Sequence, residues 1–141
     1  MSIRLLIEGR GEVTTCNIDC SVEEAIALLA DRRIGALPVI DGGAVVGIFS
    51  ERDVIYKLRQ LGPGVLTSRV GDVMTAPAVT VDPETDTLTA LSMMTKRRIR
   101  HLPVLHDGEM IGFVSIGDLV KHRIEKISSE AEAMRSYIQM A

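Results

Sequence analysis

The stretches DRRIGALPVIDGGAVVGIFSERDVI (residues 31–55) and KRRIRHLPVLHDGEMIGFVSIGDLV (residues 96–120) follow one pattern, offset by 65 positions. The identical pairs are Arg32/Arg97, Arg33/Arg98, Ile34/Ile99, Leu37/Leu102, Pro38/Pro103, Val39/Val104, Gly43/Gly108, Gly47/Gly112, Ser50/Ser115 and Asp53/Asp118. Average composition would give roughly one or two matches over such a length. Other pairs keep apolar character, as in Ile40/Leu105, Val46/Ile111 and Ile48/Phe113. The chain is a tandem repeat of about 60-residue units.

Each copy reads as a short mixed unit. Ser21-Val22-Glu23-Glu24 has the form of a capping box, and Val22, Ala25, Ile26, Leu29 and Ala30 follow at helical spacing. Leu88, Leu91 and Met94 do the same in the second copy, with a start near Asp86. The spacing then predicts a strand over Leu37 to Ile40, a turn at Asp41-Gly42-Gly43, a strand over Val45 to Phe49 and a helix from Ser50. The second copy repeats this from Leu102, through Asp107-Gly108, to a helix from Ser115. The expected organisation is repeat one over 1–61, a linker over 62–69 around Leu61-Gly62-Pro63-Gly64, repeat two over 70–124, and a helical extension over 125–141. A 60-residue unit buries only about 60% of its unfolded surface. The expected fold is therefore α/β (α+β): two mixed repeats packed sheet to sheet with pseudo-twofold symmetry, sharing one core.

Composition limits the function. The 141 residues are 46% hydrophobic and 25% charged, with net charge −3, which excludes disorder and gives no general attraction to nucleic acid or anionic membranes. No apolar run approaches the ~20 residues of a membrane helix. The start of the chain, with Arg4, Glu8 and Arg10, does not resemble a signal peptide. Two cysteines make no disulfide framework. The expectation is a cytoplasmic protein with no nucleic acid or membrane partner.

Chemistry concentrates where strand meets helix. Ser50-Glu51-Arg52-Asp53 and Ser115-Ile116-Gly117-Asp118 share an S-x-x-D spacing. A serine at a helix start, beside free amides, can hold a phosphate, and a carboxylate one turn on can accept from the two hydroxyls of a ribose. A nucleotide satisfies both. The competing reading is a plain helix cap with an acid in the first turn.

The pattern R-R-I-x-x-L-P-V, a glycine turn, and apolar-G-apolar-apolar-S-x-x-D resembles the CBS domain, named after cystathionine β-synthase. Val70-Gly71-Asp72-Val73-Met74-Thr75 is similar to the usual opening of such a repeat, and Leu5 to Gly11 is a looser version of it. Two repeats, each β-α-β-β-α in what the resemblance implies, form a Bateman module, and the resemblance spans about residues 3–124. The flavour is that of stand-alone bacterial signal-transduction pairs.

That resemblance implies a non-enzymatic regulatory module with adenosine ligands in the cleft between repeats. AMP heads these ligands, with ADP, ATP, NAD(H) and S-adenosylmethionine as the others. Carried over by position, Asp53 and Asp118 would take ribose hydroxyls and Ser50 and Ser115 phosphate. Ile34-Gly35-Ala36 and Ile99-Arg100-His101 would line base and phosphate, with Thr75 and Val79 at the edge of one adenine pocket. Arg100 and His101 face small partners, Gly35 and Ala36, at the matched positions, whereas Arg52 is matched by Gly117. Two non-equivalent sites are expected, with Arg100 and His101 holding a phosphate that Gly35 and Ala36 cannot. The competing reading makes Arg97, Arg98 and Arg100 a solvated stripe. The alternative function is a ligand-free scaffold for protein–protein association.

Other candidates are weaker. Cys16 and Cys20 lack partners for a zinc set. A triad drawn through Ser115, His101 and Asp118 has no G-x-S-x-G elbow. The basic run 96–101 lacks the stacking aromatics of an RNA site. Val120, Ile124, Ile127, Ala131, Met134 and Ile138 form a narrow apolar seam on one helix. Together with the family's habit of forming discs, that seam points to a homodimer; an effector protein of unknown identity would read the module's shape.

Overall fold

Helices begin where the caps put them. Ser21 Oγ accepts from the Glu24 amide at 3.1 Å and Asp86 from the Leu88 amide at 3.1 Å; α2 (Val22–Arg32) and α5 (Thr87–Arg97) start one residue later. Each helix ends on an arginine in the left-handed region, Arg33 at φ 51° and Arg98 at φ 54°, which turns the chain toward its strands. A computed structural model describes residues 1–140.

The repeat-one hairpin is β2 (Ala36–Asp41) with β3 (Ala44–Ser50), and the repeat-two hairpin is β4 (His101–His106) with β5 (Glu109–Ser115). Both turns place two residues at positive φ, Gly42 with Gly43 and Asp107 with Gly108, as a two-residue hairpin requires. The short β1 (Cys16–Asn17) runs parallel to β2, with Cys16 opposite Val39. Its counterpart is a single parallel bridge between Val81 and Val104, so the opening strand of repeat two is reduced to one rung. The sheets are followed by α3 (Glu51–Leu61) and α6 (Ile116–Met140).

Two buried clusters form, one per repeat, in place of the single shared core expected. Val22, Ala25, Leu29, Leu37, Val39 and Phe49 make the first; Ala90, Met94, Leu102, Val104, Val114 and Leu119 make the second. Each is completed by the segment that opens the other repeat. Helix α4 (Val70–Val73) buries Val70 and Val73 in the first cluster, while Ile3, leading into α1 (Arg4–Ile7), is buried in the second. The matched glycines make room for this crossing. A Cβ at Gly47 would lie 2.7 Å from Met74 Sδ and 2.8 Å from the Thr75 carbonyl, and one at Gly112 would lie 2.6 Å from Ile7 Cγ2.

Two expected boundaries look different in space. Residues 62–69, expected as a linker, include a 3-10 turn, Gly62–Thr67, that buries Val65 completely in the first cluster. The expected extension over 125–141 begins inside one unbroken helix, α6, and its last residue, Ala141, lies outside the described residues. No helix among the described residues is long and apolar enough to cross a membrane.

Candidate functional site

Two clefts of about 520 and 530 Å³ open between the repeats, within the range of small-ligand sites. Each combines elements of both halves. Cleft one pairs Ile34, Gly35 and Ala36 of repeat one with Ser115 and Asp118 of repeat two. Cleft two pairs Ser50, Arg52 and Asp53 of repeat one with Thr75 and Val79, from the opening segment of repeat two, and Ile99, Arg100 and His101 further along it. Of the sequence-derived residues only Gly117 lines neither cleft; its backbone lies beside the Ser115 hydroxyl.

The S-x-x-D motifs are complete helix caps as they stand. Asp53 Oδ2 accepts from the Ser50 amide at 2.8 Å, and Ser50 Oγ accepts from the Asp53 amide at 3.4 Å. Asp118 Oδ2 accepts from the Ser115 amide at 2.8 Å, and Ser115 Oγ from the Asp118 amide at 3.1 Å. Capping thus fixes each carboxylate at a cleft wall, half-buried, with its second oxygen turned elsewhere. The Thr75 hydroxyl donates to Asp53 Oδ1 at 2.8 Å. Arg10 closes on Asp118 instead, Nη2 to Oδ1 at 3.1 Å and Nη1 to Oδ2 at 3.2 Å. Burial raises the Asp118 pKa, but hydrogen bonds from Arg10 and Ser115 outweigh it and hold the carboxyl below its ordinary 3.8.

The same pairing rules out the triad drawn from sequence. Asp118 binds Arg10 and the Ser115 amide, leaving the His101 ring to stack on Phe113, with centroids 5.4 Å apart and planes 14° apart. His101 lines both clefts. Burial first, then the Arg100 guanidinium, hold its pKa below 6.5 against the opposing pull of Asp118 and Glu51. The ring is accordingly neutral near pH 7 and serves as a shared wall.

Electrostatics separate the clefts. Cleft two is lined by four arginines, Arg52, Arg97, Arg98 and Arg100, against one carboxylate, Asp53. The 97–100 run therefore faces a cavity rather than forming only a solvated stripe. Arg100 is half-exposed and 3.7 Å from Glu51, too loosely paired to be neutralised. Cleft one balances Arg10 and Arg33 against Glu12 and Asp118. Cys16 is buried and its thiol is pushed up to about 11 by burial and then by Cys20, so it is inert; among the described residues no cluster of ligating side chains could hold a metal.

Sequence reasoning missed Arg10, Tyr56 and Phe113. Tyr56 follows Asp53 by three residues on α3 and lines cleft two, a spacing that was readable. Arg10 lies 65 positions before Thr75, so the repeat offset pointed to it although the residue types differ.

Comparison with known proteins agrees with the paired-repeat fold. The CBS domain family model matches residues 10–60 and again 70–125. The mitochondrial CBS domain-containing protein CBSX3 of Arabidopsis thaliana is 40% identical over 129 residues, 88% of this chain; the chain spans 63% of that relative's length. A CBS-domain-containing protein of Agrobacterium tumefaciens has a structure that superposes with a TM-score of 0.82 at 36% identity, covering 86% of this chain and 92% of that one. CBSX2, solved in complex with AMP, superposes at 0.74 with 27% identity, covering 88% and 96%.

Proposed function

The chain belongs to the CBS-domain family, whose paired repeats are regulatory modules, and from that premise we propose that it binds anionic adenine nucleotides in its two clefts and signals their level in the cytoplasm to an effector protein. The observation that carries this reading is the composition of each cleft: a capped aspartate from one repeat faces a strand edge from the other. A ligand spanning the two changes how the repeats meet, which is how unequal affinity for two arrangements becomes a signal. Asp53 and Asp118 would take the ribose hydroxyls, and the serine-capped helix starts the phosphate. AMP leads, supported by the AMP complex of CBSX2. ATP and NAD(H) suit the four arginines of cleft two, whereas the cationic S-adenosylmethionine does not.

The module would act as a homodimer. Val120, Ile124, Ile127, Met134 and Ile138 are exposed along one face of α6. With Ala131 they keep the 4-3 spacing of a helix seam, and Glu130 and Arg135 flank it at positions that pair in a parallel second copy.

A thermal-shift panel with AMP, ADP, ATP, NAD, NADH and S-adenosylmethionine tests the ligand reading. At 100 times its dissociation constant a ligand adds about 2.7 kcal/mol, and the shift should shrink in Asp53→Ala and Asp118→Ala. A flat panel, with no nucleotide released on denaturation, overturns it. One observation favours a ligand-free scaffold: both S-x-x-D caps are fully satisfied without a ligand. In that case the two alanine variants lose only a cap's worth of stability, about 0.5–2 kcal/mol.

A further inference from the structure

We propose that Arg10 gates cleft one, so that this cleft admits adenosine ligands carrying a phosphate and discriminates against uncharged nucleosides. The proposal rests on the nucleotide reading above and concerns what this chain's own ion pair adds to it. Arg10 engages both oxygens of Asp118, at 3.1 and 3.2 Å, and the Ser115 amide takes a second position on Oδ2. A ribose diol arriving at Asp118 meets a carboxylate whose outward lone pairs are already bound by a guanidinium.

The matched position in cleft two behaves differently. Asp53 meets the neutral hydroxyl of Thr75, which can rotate and share the carboxylate with an incoming diol. Opening cleft one means separating a charge pair, and the freed guanidinium needs an anion. The other carboxylate of that cleft, Glu12, is exposed at its rim, and Arg33 adds a second positive charge. A ligand's phosphate supplies the acceptor, in the two-pronged geometry a guanidinium favours. A neutral nucleoside supplies none.

Arg10 sits between two glycines, in open space. Gly9 sits at φ 74°, and neither Gly9 nor Gly11 has a neighbour within 4 Å of where a Cβ would be. The guanidinium is also held from behind by the Phe113 carbonyl, 3.5 Å from Nη1. In the other half the backbone amide of Thr75 makes the corresponding bond, to the Ile48 carbonyl at 2.9 Å. Where repeat one uses a fixed main-chain rung, repeat two uses a side chain that can leave.

The test isolates cleft one with Asp53→Ala, or with Asp53→Asn should the alanine variant fail to fold, and titrates AMP and adenosine by calorimetry. AMP should bind at least about tenfold more tightly than adenosine, the effect of one charge-assisted contact. Adding Arg10→Ala should tighten adenosine and narrow the ratio to whatever the Ser115 helix start and Arg33 supply, while Arg10→Lys restores part of the preference. A ratio unmoved by Arg10→Ala overturns the gate. Cleft two, read in Asp118→Ala, separates the two failures. If it binds AMP while cleft one ignores Arg10, the gate falls and the nucleotide reading stands; if neither cleft takes AMP, both fall.

Discussion

Thr75 and Asp53 are joined by a 2.8 Å hydrogen bond across 22 residues, and this bond ties the start of repeat two to the carboxylate that repeat one places in cleft two. Thr75 is also an extra rung on β3, its amide and carbonyl both bonded to Ile48 at 2.9 Å. Replacing the hydroxyl by a methyl leaves Asp53 Oδ1 without a donor. Thr75→Val should therefore lower stability by about 1 kcal/mol, with an unchanged denaturant slope in urea unfolding, and Thr75→Ser should restore it.

Asp118 predicts an acid limb to the stability curve. Its pKa in the folded protein is below the ordinary 3.8, so its contribution is fully present above that value and is lost as pH falls through the lower, folded one. Asp118→Asn, which keeps the shape of the cap, should flatten the decline of the urea midpoint below pH 3.8. An equal decline in variant and parent would assign the acid sensitivity to other carboxylates.

Arg98 combines strain with charge. It holds a left-handed backbone at φ 54° and lines cleft two. Glycine relieves about 1 kcal/mol of strain there but adds a similar cost in unfolded-chain entropy. Arg98→Gly should thus melt near the parent temperature while binding ATP several-fold more weakly. The loss should shrink at high salt, since a screened charge matters less.

The apolar seam of α6 predicts an oligomer. Ile127 is 50% exposed at the middle of that seam. Ile127→Glu should convert the dimer to monomer in light scattering without loss of the folded signal, because the residue contributes to neither buried cluster. A monomeric parent would refute the assignment.

The repeat, both hairpins and the helix starts were legible in the sequence because each is written locally. Asp107-Gly108 is a preferred hairpin turn, and Ser21 and Asp86 are preferred helix caps, on grounds that lie within a few residues of each. What could not be read is which half meets which. Nothing near Asp118 in sequence indicates that Ile34 and Gly35 face it, because that relation depends on packing over more than 80 residues. Gly47 and Gly112 were visible as an identical pair, yet their purpose is to admit Met74 and Ile7, residues of different type. Arg10 escaped for a related reason: it does the work of Thr75 with different chemistry, so identity across the offset could not reveal it.

The crossing of α1 and α4 has a consequence for how such a molecule is divided. A cut within Gly62–Thr67 leaves two pieces that still hold each other's opening helix, so a nicked chain should stay associated until denatured. The same reciprocity means that two copies of a half-length ancestor could have traded arms and closed into this shape as separate molecules. Gene fusion would then have made permanent a partnership that the packing had already defined, with each cleft still built from both halves.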